Sequence, residues 1–115
     1  MEDLFFAPRE PANIEGLDDV FIRGMLLSEK LKNDGFSRER RKPLPGESDE
    51  DAATRAGAEV IPRVLHYCVV AADGSRFKTA EQWDAFGILH AQDAYRLFNT
   101  AMRLSGQDVG DVEKN

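Results

Sequence analysis

The chain has one cysteine, two histidines and too few bases: 15 Lys and Arg stand against 21 Asp and Glu, for a formal net charge of -6. One cysteine excludes an internal disulfide and a thiolate zinc site. Cys68 lies in the apolar run Tyr67-Cys68-Val69-Val70, where it is expected to be a small core residue, as suits a reducing cytoplasm. The deficit of bases argues against a general nucleic-acid binder. His66 and His90 lack the spacing and companion ligands of a metal site, and there is no Asp-rich calcium loop. The glycines are scattered at turns and helix ends, so none builds a phosphate loop. No apolar run approaches the ~20 residues that cross a bilayer, and the first residues carry acids where a secretory signal carries bases. The expectation is a cytoplasmic, non-enzymatic protein with no cofactor, no metal, no membrane contact and no nucleic-acid partner.

What is present is a patterned chain of 115 residues, a length that suits one domain. Residues 1–11 combine the apolar trio Leu4, Phe5 and Phe6 with Pro8 and Pro11, which forbid a continuous helix. They are expected to form an extended arm whose apolar trio either tucks against the body or is held for a partner. Residues 12–24 suggest a β-hairpin around Gly16-Leu17-Asp18, with Val20, Phe21 and Ile22 as strand formers and Gly24 letting the chain bend away. Ser28 is placed to cap a short helix that Asn33-Asp34-Gly35 ends.

Residues 36–48 are expected to be a flexible loop. They hold Pro43, Pro45 and Gly46 beside the basic block Arg38 to Lys42, which is either solvated or a partner-binding or phosphate-binding tip. A helical core over 49–106 follows. Ser48 caps a helix with Asp49, Glu50 and Asp51 in its first turn, and Pro62 predicts a kink or a restart near Ile61. Asp73-Gly74 marks a tight turn. Thr79 and Gln82 form a capping box, and Gly87 is expected to close that helix in a left-handed conformation. Ala91 to Leu104 is amphipathic, with Ala94, Tyr95, Leu97, Phe98, Ala101 and Met102 on one broad face, and Ser105-Gly106 ends it. Residues 107–115 are polar and expected to fray. The fold class is therefore α+β, mainly α, with an N-terminal β-hairpin followed by three or four helices in one small domain.

Three stretches carry a family likeness: Asp19-Val20-Phe21-Ile22-Arg23-Gly24-Met25 followed by Leu27-Ser28-Glu29; Val64 through Cys68-Val69-Val70 to Asp73-Gly74 and Phe77; and Leu97-Phe98 with Met102-Arg103-Leu104-Ser105-Gly106. Over about three quarters of its length the chain resembles the tail assembly chaperones of long-tailed bacteriophages and prophages. The Pro-rich segment Phe36 to Ser48 has no counterpart in that resemblance. It implies a non-catalytic protein of the host cytoplasm, absent from the finished virion. Such a protein coats the aggregation-prone tape measure protein and brings it to the tail tube protein. A ribosomally frameshifted long form and homo-oligomers also occur in such families.

A tape measure protein is a long helix with apolar stripes, so the contact expected is a helix laid in an apolar groove. The candidate contact residues are Leu4, Phe5, Phe6, Leu26, Leu27 and Trp83, while Phe86, Tyr95 and Phe98 are assigned to the core. A small helix-turn-helix regulator, built from residues 79–104, and a host-directed prophage interaction protein are the alternatives.

Overall fold

Val20, Ile22, Val69 and Val70, apolar and β-branched, pair two strands of a small sheet, and four helices complete the domain. A computed structural model describes residues 7–106. Strands β1 (Arg9–Pro11), β2 (Val20–Arg23) and β3 (Val69–Ala71) form an antiparallel sheet in that order, Arg9 opposite Arg23 and Ile22 opposite Val69. The helices are α1 (Leu27–Arg40), α2 (Asp49–Cys68), α3 (Ala80–Phe86) and α4 (Ala91–Leu104). The fold is thus a mainly helical α+β domain with an N-terminal hairpin.

Ile22, Val64, Leu65, Cys68, Val69 and Leu97 form the fully buried centre, which joins β2, β3, α2 and α4. Three local devices act as their residue types dictate. The Ser48 hydroxyl accepts from the Asp51 N–H, the Thr79–Gln82 capping box closes in both directions, and the Asp73-Gly74 turn is held by Asp73 accepting from Ser75. Gly74 and Gly106 take positive φ at the turn and after α4, as glycine readily does.

Several boundaries move. Residues 1–6 and 107–115 lie outside the described residues, and with them the Leu4-Phe5-Phe6 trio and the tail expected to fray. The rest of the expected arm holds β1, an edge strand whose terminal Pro11 has no need to donate. The hairpin therefore pairs 9–11 with 20–23 rather than starting at Ala12. The run at Val69 is a third strand, too short and too apolar to tell from helix by period.

Helix α1 does not stop at Gly35, nor does Ser28 cap it. Leu26 is the N-cap, and the Glu29 carboxylate accepts from the Leu26 N–H at 2.9 Å. Phe36 to Arg40 is helical, and only residues 41–48 remain as a connection. That connection is pinned, because Glu47 accepts from Leu44 N–H at 2.9 Å and from Arg55 Nη2 at 2.9 Å.

Helix α2 runs unbroken through Pro62 with no restart near Ile61. Proline removes only the donor to the Ala58 carbonyl, and packing against α1, α3 and α4 holds the rest. Gly87 has φ -66, right-handed rather than left-handed, so the chain turns on through Ile88 to the Phe86–His90 bond. Gly24 also serves close approach where the chain leaves β2 for α1. A Cβ there would collide with the Leu104 carbonyl, where the chain passes the end of α4.

Candidate functional site

Helices α1 and α4 are both fourteen residues long, yet they face opposite ways. Helix α4 buries Ala94, Leu97 and Ala101, the ordinary arrangement of an amphipathic helix. Helix α1 buries Glu29 and Asn33 and turns Leu27 and Leu31 to solvent, 72% and 62% exposed. The buried pair and the exposed pair each step by four, so each forms a stripe. The N-cap Leu26 extends the exposed apolar stripe at its start.

The polar inner stripe of α1 is matched residue by residue. Glu29 accepts from Arg23 at 2.8 and 3.0 Å, from Arg76 at 2.8 Å and from the Leu26 N–H. Burial alone would push its carboxyl up, but these donors together hold it below the usual carboxylate range. One turn on, Arg63 of α2 donates to Asn33 Oδ1 at 2.7 Å, and two turns on to Ser37 Oγ at 2.9 Å. Arg40 then pairs with Glu59 through two bonds of 2.9 Å. A ladder of arginines therefore fastens α1 and leaves its leucines outward. Part of the basic block at Arg38 to Lys42 is spent on this contact.

A second apolar surface opens between α2, α3 and α4. It is a cleft of about 290 Å³ with Ala58, Ile61 and Pro62 on one side and Trp83, Ile88 and Tyr95 on the other. Ile88 and the adjacent Leu89 are 79% and 84% exposed. Tyr95 is exposed at 53% and is not the core residue its helical spacing suggested. Phe86 and Phe98 do pack against the core. Trp83 is buried, so it forms the wall of this cleft rather than a free contact, and no residue of α1 lines it. Leu26 and Leu27 thus belong to one surface and Trp83 to another. Their sequence positions could not show this.

The reactive side chains found in sequence have structural surroundings. Cys68 is buried, which pushes its thiol up to about 12 and leaves it without thiolate character near neutral pH. His66 Nδ1 lies 3.0 Å from the Lys78 carbonyl; since a carbonyl only accepts, Nδ1 carries the proton. His90 stacks on Phe86 with ring centroids 4.9 Å apart. Among the described residues no group of His, Cys, Asp and Glu is arranged for a metal, and no helix is long and apolar enough to cross a membrane. No family model, curated protein or solved structure matches the chain.

Proposed function

We propose that this protein is a non-catalytic binding protein that covers the apolar stripe of a helical assembly partner, in the manner of a tail assembly chaperone on a tape measure protein. The observation that carries this reading is the inverted α1. A helix that turns Leu27 and Leu31 to water while fastening its polar stripe inward holds an apolar strip ready for another chain. The acidic charge of the chain keeps such a surface soluble between encounters. In this role the protein acts in the host cytoplasm and passes the tape measure protein to the tail tube protein, needing no cofactor.

A helix-turn-helix reading draws less support. Both arginines of α4 are tied to the domain's own surface groups, Arg96 to the Ala12 and Asn13 carbonyls and Arg103 to Glu10. A recognition helix would present them outward.

The test is co-expression with a phage tape measure protein, followed by pull-down and measurement of complex size. Co-purification of a soluble complex is expected. A tape measure protein that stays insoluble, while this protein elutes alone, would overturn the reading.

A further inference from the structure

The cleft between α2, α3 and α4 carries a charge pattern of its own. From Thr79 to Tyr95 the chain contains Glu81, Asp84 and Asp93 and not one Lys or Arg. Asp84 lines the cleft, and among the described residues neither it nor Glu81 makes an ion pair. Cations close by in the chain are engaged elsewhere, and Lys78, just before this stretch, sits over the Phe77 ring at 5.0 Å. Arg63, next to Pro62, reaches α1, and Arg96 is held by Asp93 and by two carbonyls beyond β1. Ala58 and Pro62 both line the cleft, and Pro62, having no N–H, leaves the Ala58 carbonyl without its usual helical donor. One positive feature opposes this, the N-terminus of α4 at Ala91, and Asp93 in its first turn answers it.

We infer that this cleft takes an amphipathic helix whose apolar stripe is flanked by Lys or Arg. The inference rests on the reading of the protein as a cover for a helical partner, and it adds the chemistry of that partner at a surface distinct from α1. Ile61, Ile88 and Tyr95 contact the stripe, while Asp84 in the lining, with Glu81 one turn before it on α3, selects cationic flanks over acidic ones. Acidic flanks would meet two unpaired carboxylates.

The chain's one tryptophan reports on the cleft, because Trp83 forms its wall. Among the described residues its buried indole N–H has no partner, so its emission should respond to a new neighbour. Two synthetic helical peptides of ~18 residues, about five turns, would share one leucine stripe and differ only in Lys or Glu flanks. Each is titrated against the full chain while tryptophan emission is followed.

The Lys-flanked peptide is expected to shift the emission and to bind roughly tenfold more weakly at high than at low salt. Asp84→Lys with Glu81→Lys should reverse the preference. Both sites are exposed, so circular dichroism should confirm an unchanged fold in that variant. Equal binding of both peptides, insensitivity to the charge reversal, or no response to either peptide each overturns the inference. The two proposals fail separately. Peptide selectivity without tape measure solubilisation defeats the assembly reading alone, and solubilisation without selectivity defeats the inference alone.

Discussion

Helices α1 and α4 show two solutions to the same length of chain. Helix α4 is held by apolar burial, with Leu97 fully enclosed, and its polar face meets solvent. Helix α1 is held by Glu29, Asn33 and Ser37 against Arg23, Arg76 and Arg63, and its leucines meet solvent. Buried ion pairs seldom stabilise a fold more than packed hydrophobes would. A domain that fastens a helix this way gives up apolar burial on that helix and keeps an apolar face outside. The contrast teaches that stability and binding are divided between the helices.

The largest effect is expected where α4 is deepest. Leu97→Ala should lower the unfolding free energy by about 3 kcal/mol, whereas Leu31→Ala in α1 should change it by less than about 0.5 kcal/mol. Urea titration of the two variants checks this, and equal losses would mean that the two helices are packed alike. Glu29→Gln comes next. It leaves Arg23 and Arg76 without their carboxylate, and since Arg76 is half exposed the expected loss is about 2 kcal/mol.

The same residue predicts an acid limb. Because the folded-state pKa of Glu29 lies below its unfolded value, its contribution is complete above about pH 4.3 and is lost as pH falls through the lower folded value. Glu29→Gln should flatten stability against pH in that acid range and leave the neutral range parallel to wild type. A parallel acid limb would place the titration on other carboxylates. The smallest expected effect on stability belongs to Leu27→Asp with Leu31→Asp, which should unfold within about 0.5 kcal/mol of wild type. A large loss there, read by thermal melting, would mean that the leucine face is held within the fold.

The parts legible in sequence were those fixed by neighbours in the chain. The Thr79–Gln82 box, the Ser48 cap and the Asp73-Gly74 turn each depend on residues within three positions, and each forms as expected. The limits of α1 were not legible, because Gly35 and the charges after it read as a stop while the ladder to Arg63 and Glu59 comes from a helix some twenty to thirty residues on. The candidate site was half legible. Leu26 and Leu27 lie exposed, as a contact residue must, but the reason, a polar stripe matched by distant arginines, has no local signal. Tyr95 sits at helical spacing with core residues and still lines a cleft between α2, α3 and α4.

The most direct test of the account is the yield of soluble tape measure protein when it is co-expressed with the wild-type chain or with the Leu27→Asp, Leu31→Asp variant. Soluble complex is expected with the wild type, and a loss of most of it with the folded variant. Equal recovery with both would contradict the claim that the outward face of α1 is the surface that holds the partner.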